Sequence, residues 1–512
     1  MAATWRWALG GAAAAALALG VGEIAAAVIG GGSPIAAVGT LVIDLQPPGA
    51  KDLMVALFGT NDKLALEVAT GVGAVLVGAL LGALGRRSML LPMGGLLAFG
   101  VVAFLAILRD PLVGVTGAAT IAMLAVIFGV IALRNLLPPP LPAADAAAAE
   151  TAAPMVGVPL ARRSFLLLTG SVLAVGGVMT VVGRSLTARV PVLTGTTQIP
   201  VPGTTAPPVP AGADFGIDGL APIIVPNADF YRIDTRLTVP RLDSTTWSMK
   251  IHGLVEREVE LSYAELLAMP LVEQYVTLAC VSNEVGGNLV GNARWTGTPL
   301  LPLLERAGLM PAATQVVGRS FDGWTCGFPT EHLRGAGANA MVAVAMNGEP
   351  LPPEHGFPAR LIVPGLYGYV SATKWLTEIE LTTLEGFNAY WVPLGWAKQA
   401  PILTQSRIDV PRHGRSVAAG SVTVAGVAWA PTRGIADVEV RLDDGAWQPA
   451  ELSVPLADTT WVQWRLAVEI AAGPHTLTVR ATDGTGTPQE ERRTPPAPDG
   501  ARGYHEIRIT AA

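Results

Sequence analysis

At 512 residues, with 51% hydrophobic and only 14% charged side chains, the chain is too long for one ordinary domain and too apolar for a uniformly soluble one. A net charge of −6 excludes the basic excess that nucleic-acid binding needs, and two cysteines exclude a disulfide-built scaffold. The apolar excess sits in the first third; beyond about residue 215 the composition is that of an ordinary globular protein.

A membrane-spanning helix needs roughly 20 apolar residues. Five stretches meet that need: residues 8–29, 66–84, 90–108, 113–133 and 165–182. Between Ser33 and Lys63 the chain carries Pro34, Asp44, Pro47, Pro48 and Lys51, and reads as an extramembrane or re-entrant connection. With five spans, Arg6, Arg86, Arg87, Arg134, Arg162 and Arg163 fall on one side, against Lys51, Lys63, Arg109, Arg184 and Arg189 on the other. The positive-inside rule makes the first side cytoplasmic and sends the C-terminal part outside. Glu23 is an ionisable group within the first span, either a functional site or an acid near the outer end that faces other helices.

The fifth span opens Arg162-Arg163-Ser164-Phe165-Leu166-Leu167-Leu168, which resembles a twin-arginine export signal for folded, cofactor-loaded domains. The alternative is a pair of arginines that anchors the span. All six histidines lie beyond residue 250, so no haem b is expected among the spans. Residues 138–159 are rich in Pro and Ala, and 190–210 in Pro, Thr and Gly; both read as linkers.

The globular part mixes short strands, turns and a few helices, an α+β pattern. Residues 247–253 alternate as a half-buried strand. Ser262 with Glu265 signals a capped helix that ends before Pro270, and 298–307 shows a second helix with a leucine face. Cys280 stands where a strand must stop, followed by Ser282-Asn283-Glu284 and the pair Gly286-Gly287.

The run 280–295 (CVSNEVGGNLVGNARW), the segment 347–365 (NGEPLPPEHGFPARLIVPG) and Lys374-Trp375 together resemble the sulfite oxidase family of molybdopterin-dependent oxidoreductases. The resemblance covers roughly 226–512 and not the membrane third. It implies an enzyme with Mo-molybdopterin as cofactor and two-electron oxygen-atom transfer as its chemistry. Cys280 becomes the metal ligand and a catalytic residue, a role that suits a soft thiolate. His355, Arg360, Ser320, Asn227, Tyr231, Arg232, Ala372, Thr373 and Lys374 become cofactor contacts, with Arg232 also catalytic. The family's oxidases of sulfite carry a tyrosine and several arginines around the metal. Here the loop 323–329 (GWTCGFP) has no tyrosine, which leaves the substrate open, and its Cys326 is either a small buried residue or a thiol near the site.

From 406 to 510 strand-like runs recur with turns between them, at 421–429, 438–442, 461–468 and 475–483. They suggest an immunoglobulin-like β-sandwich without a disulfide, matching in place and size the family's dimerisation domain.

The expected organisation is therefore a four-helix membrane region (1–135), a cytoplasmic linker (136–160) and a fifth membrane helix (161–186). A second linker (187–214), a molybdopterin domain (215–400) and the sandwich (401–512) follow. No Cys-x-x-Cys-His haem attachment is present, so a separate electron carrier, a cytochrome or a quinone pathway, is implied, with membrane lipid around the helices and a homodimer by family likeness. The expected location is the plasma membrane, with the catalytic domain on its outer face. Two other readings stay open: a sulfoxide reductase of the same fold, and a cell-surface binding protein that has lost its cofactor.

Overall fold

The computed structural model describes residues 4–46, 57–58, 62–85, 88–109, 113–137, 161–189, 193–194, 198–233 and 235–512. The linker 138–159, the Arg86-Arg87 pair, and Pro47, Pro48 and Lys51 lie outside the described residues. The chain divides into a helical unit, Met1–Pro191 with Thr235–Val239, and a β-rich unit made of the rest.

The helical unit contains α1 (Thr4–Ile29), α2 (Pro34–Leu45), α3 (Asp62–Leu84), α4 (Leu90–Ile107), α5 (Gly114–Leu136) and α6 (Arg162–Arg189). Five of these, all but α2, are long and apolar enough to cross a membrane. The helix α1 is the central one, packed against α3, α5 and α6. Small residues make that possible: a Cβ on Gly11 would lie 2.2 Å from the Gly78 carbonyl oxygen of α3, and one on Gly176 of α6 would lie 2.6 Å from the Ala16 carbonyl carbon. Backbones this close gain van der Waals contact. Outward, α3 exposes Leu64, Val68, Val72, Leu76, Leu80 and Leu84 at four-residue intervals, the stripe that lipid would cover.

Within the connection after α1, residues 34–45 form a helix despite Pro34. Ser33 caps α2 by accepting from Ala36 N, and Pro34 occupies a first-turn position, where its missing N–H costs nothing. At 12 residues α2 reaches about 18 Å, short of a roughly 30 Å hydrocarbon core. Near its far end Asp44 pairs with Arg109, and Lys63 donates to the Arg236 carbonyl of the returning segment Thr235–Val239.

Besides a short parallel pairing of Leu193–Thr194 with Leu242–Asp243, the β-rich unit has an antiparallel sheet, a mixed sheet and then two further sheets. In the first sheet Val272–Ala279, Val290–Pro299, Met341–Met346 and Glu349–Pro350 run antiparallel in that order, with Arg360–Ile362 also on Met341–Met346. The second runs Val259–Ser262, Ser248–Gly253, Leu376–Thr382, Gln315–Ser320 and Thr325–Pro329, its Ser248–Gly253 and Leu376–Thr382 strands being parallel. The capped helix is Tyr263–Leu267, with both arms of the Ser262–Glu265 capping box formed. The second helix is Leu300–Ala307; residues 298 and 299 instead finish the preceding strand.

Past residue 405, a four-stranded and a five-stranded sheet share one core, in which Val424, Trp464 and Val468 from one meet Val440, Val479 and Ile507 from the other. Residues 198–215 strap these sheets to the first sheet. Thr204 bridges Val272, the Tyr275 hydroxyl donates to Pro207, Val454 N donates to Gly212, and Phe215 N donates to Gln463.

Candidate functional site

Four of the expected site residues sit at or beside strand ends, where the backbone can release side chains. Cys280 follows the last residue of Val272–Ala279, Ser320 ends Gln315–Ser320, Arg360 begins Arg360–Ile362, and Lys374 and Trp375 lead into Leu376–Thr382.

Both ends of the cysteine turn are pinned. Cys280 N donates to Leu289 O at 2.9 Å, and the Asn283 side chain accepts Leu289 N at 2.8 Å, so the turn closes on its own polar groups. Gly286 has φ +79°, and a Cβ there would come 2.2 Å from the His505 ring. The strand feeding the turn is fixed by the C-terminal sheets: Thr277 N donates to Thr459 O, and Trp461 N donates to Thr277 Oγ1. Cys280 is buried at 8% exposure.

Around that sulfur the fold collects aromatic, cationic and hydroxyl groups. Burial raises the Tyr231 hydroxyl well above its ordinary range; the nearby Cys280 sulfur adds to this and Arg360 opposes it. Burial likewise pushes Tyr367 up to about 12, against Leu403 N and helped by Cys280. Both phenols therefore keep their protons near neutrality. Tyr367 accepts Leu403 N at 3.4 Å and, among the described residues, donates its own proton to none.

Arg360 is buried at 6% exposure and has no carboxylate partner among the described residues. Its Nη1 donates to His355 O at 2.9 Å, its guanidinium lies 5.0 Å over the Trp295 ring, and its Nε has no hydrogen-bond partner. Burial lowers it to about 10, which still leaves it charged. His355 is bonded through Nε2 to Asn227 O at 3.0 Å, so Nε2 carries the proton and Nδ1 is left as acceptor. Burial and then the Arg360 charge bring His355 down to about 4, which makes it neutral. Phe230 stands edge-on to both Trp295 and His355.

Gly356 makes room for the cations. With φ +115°, it sits where a Cβ would be 3.0 Å from Lys374 Cβ and 3.2 Å from Arg360 Cβ. Lys374 donates to Glu354 O and lies 4.6 Å over the Trp375 ring. Trp375 itself has φ +51°, an uncommon backbone state for a large side chain, held by its Nε1 bond to Pro353 O at 2.7 Å.

Of the remaining expected contacts, Asn227 accepts Asn347 Nδ2 at 2.8 Å beside its His355 bond, and Ser320 Oγ is buried with no partner. Ala372 and Thr373 are buried in the turn before Lys374, with Thr373 Oγ1 donating to Gly318 O. Arg232 is exposed, unlike its neighbour Tyr231. Cys326 is fully buried, and burial raises its thiol despite hydrogen bonds to Thr373 and Gly318. That is the behaviour of a packed small residue.

Sequence reasoning missed Tyr367, although it stands beside the Pro364-Gly365 turn of a segment already singled out. It also missed His505 and Arg407, whose positions in the last sheets carry no local signal.

A buried cation without an anion, an unpartnered Arg360 Nε and an unpartnered Ser320 Oγ suit a polar, anionic ligand. A thiol among protonated phenols suits a soft metal centre. The donor set thus fits a phosphate-bearing pterin with a sulfur-ligated metal.

Comparison with known proteins points the same way. The profile of the family described as "Oxidoreductase molybdopterin binding domain" matches residues 236–391. The chain is 30% identical to mitochondrial sulfite oxidase of Homo sapiens over 302 residues, covering 50% of this chain and 55% of that protein. It is 30% identical to nitrate reductase [NADH] 1 of Oryza sativa subsp. japonica, covering 50% of this chain and 34% of that one. With the uncharacterized oxidoreductase YuiH of Bacillus subtilis it shares 34% identity over 154 residues, 30% of this chain and 74% of that protein. The chain thus spans about half the length of the sulfite oxidases it matches.

Proposed function

This chain belongs to the sulfite oxidase family of molybdopterin oxidoreductases, with Mo-molybdopterin as cofactor, and we propose from that premise that it transfers an oxygen atom and two electrons on a small substrate, with Cys280 as the sulfur ligand. The carrying observation is the set of buried Cys280, Tyr367 and Arg360 with part-buried Tyr231 beside them, Arg360 Nε and Ser320 Oγ being left without partners. When bound, the cofactor supplies a metal that exchanges two electrons and an oxygen atom.

The chain's own groups do the rest. Cys280 would hold the metal, and its pinned turn keeps the sulfur from moving. Arg360, Ser320 and Lys374 would bind the phosphate and pterin, with Asn227, Ala372 and Thr373 lining the same cradle. Neutral His355 would offer Nδ1 as an acceptor to a ring N–H, since Nε2 is committed to Asn227. Tyr231 and Tyr367, both protonated, would donate to an oxygen on the substrate. Arg232, exposed beside Tyr231, would meet an anionic substrate as it enters. Sulfur compounds are the first substrate class to test.

The reductive direction is a second reading, for which the undonated Tyr367 proton speaks, because an oxygen leaving a sulfoxide must be protonated. In either direction the reading includes five membrane spans, export through Arg162 and Arg163, a catalytic domain outside the plasma membrane, a separate cytochrome or quinone as electron partner, and dimerisation through an immunoglobulin-like sandwich over 401–512.

Full-length protein from a host that makes the cofactor should contain about one molybdenum per chain and release pterin on denaturation. Cys280→Ser should abolish turnover while the fold survives. Metal-free, pterin-free protein would return the assignment to a surface binding protein.

A further inference from the structure

A single helix would tether an enzyme, and four more need a reason. Inside the helical unit one polar cluster stands apart from the Gly- and Ala-lined contacts. Glu23 of α1 is fully buried, and its Oε1 accepts the Ser33 hydroxyl at 2.7 Å and Ile35 N at 3.0 Å. Arg184 of α6 reaches Ser33 Oγ at 3.3 Å with one nitrogen and pairs with Glu67 of α3 through the other. Four helical segments therefore converge here, two carboxyls facing one guanidinium. Gly183 allows the approach, since a Cβ there would meet the Glu23 backbone at 2.6 Å.

The network does not close. Glu23 Oε2 is buried with no hydrogen-bond partner. In an apolar bundle a network kept only to hold helices together should satisfy all its members, and an unsatisfied one is a site waiting for a partner. At the edge of the cluster the Arg184 side chain keeps 32% of its surface exposed, while Glu67 keeps 12%.

We propose that the Glu23–Ser33–Glu67–Arg184 cluster binds the headgroup of a lipid-soluble quinone, with one ring oxygen hydrogen-bonded to Glu23 Oε2. A ligand reaching this depth must be apolar apart from its hydrogen-bonding oxygens. A charged one would compete with the Arg184–Glu67 pair, whereas a quinone carbonyl needs only a proton on Glu23 Oε2 to accept from, and a quinol hydroxyl needs only that oxygen's lone pair to donate to. The proposal rests on the redox reading above, which requires an electron acceptor. The overall step balances: substrate, water and quinone give oxygenated substrate and quinol. Water provides the oxygen, the substrate loses two electrons, and the quinone gains those electrons and both protons of the water on its two oxygens.

The test uses the full chain in lipid nanodiscs and a short-chain quinone, with binding measured directly and its azido derivative used for photo-crosslinking. Saturable binding and a crosslink in α1, α2 or α6 are expected. Glu23→Gln and Ser33→Ala should each weaken binding at least tenfold, and Cys280→Ser should leave it unchanged. Unchanged binding in Glu23→Gln, or no saturable binding by metal-loaded wild type, overturns the proposal. If Glu23→Gln fails to assemble, Ser33→Ala decides alone, and a drop in its thermal stability with full quinone affinity shows a purely structural cluster. Loss of molybdenum with intact quinone binding would sink the redox reading instead.

Discussion

Arg407 Nη1 donates to the Gly287 carbonyl at 2.8 Å, so the C-terminal sheets hold the turn that carries Cys280. The same guanidinium pairs with Asp409, which also accepts Ala221 N, and both charged side chains are about nine-tenths buried. The last hundred residues therefore act on the candidate metal ligand from within the same chain.

Arg407→Met should cost about 3–5 kcal/mol, because it strands the buried Asp409 charge as well as the Gly287 carbonyl. Arg407→Lys keeps the charge but not the fork, and should lose roughly 1–2 kcal/mol. The exposed Arg465–Glu451 pair gives the control: Arg465→Met should leave stability nearly unchanged. Thermal unfolding of the three variants checks the order, and turnover should fall only in the Arg407 pair.

Gly286→Ala tests the same contact from the other side. The residue has φ +79°, and its new methyl would enter the His505 ring, 2.2 Å from Cδ2. A loss of about 2 kcal/mol or more is expected. In a double-mutant cycle, adding His505→Ala should recover the steric share and leave the backbone share, so the two changes should not be additive. Additive losses would mean that the turn does not rest on the ring.

Much of this arrangement was legible before the fold was known, for local reasons. The Ser262–Glu265 box, the Cys280 turn with its glycines, and the apolar helices α3 to α6 are set by local sequence. The α2 helix was hidden because Pro34 looks like a breaker until Ser33 is seen to cap it. The 198–215 strap read as a linker because its partners, Val272, Val454 and Gln463, lie far along the chain. Tyr367 was missed for a similar reason: its role depends on meeting Cys280, 87 positions away in the chain, and no spacing rule encodes that.

Arg360 offers a test of the cofactor cradle that is independent of turnover. Its fork is rigid, buried and short of one partner, so Arg360→Lys should retain the charge yet lower molybdenum and pterin content several-fold, and Arg360→Met should abolish both. Metal analysis beside a thermal melt separates lost binding from lost folding. A fully loaded Arg360→Met protein would remove this residue from the cradle.

His505 should make stability pH-dependent in a defined window. Its Nδ1 accepts Ile408 N at 2.9 Å, and burial, then the Arg407 charge, lowers its pKa to about 4, with Asp409 opposing and Arg493 and His413 adding to the decrease. An unfolded histidine titrates near ~6.5. As pH falls from about 6.5 the unfolded chain takes up a proton that the native one refuses, so stability declines until about pH 4, where the native ring also protonates and the slope ends. The shift corresponds to on the order of 3 kcal/mol. Carboxylates titrate in the lower part of this window, so the informative quantity is the difference between wild type and His505→Asn, whose side-chain oxygen can still accept Ile408 N. Thermal unfolding of the full chain between pH 4 and 7.5 should show a steeper acid loss in wild type; parallel curves would mean that His505 is protonated as readily in the fold as outside it.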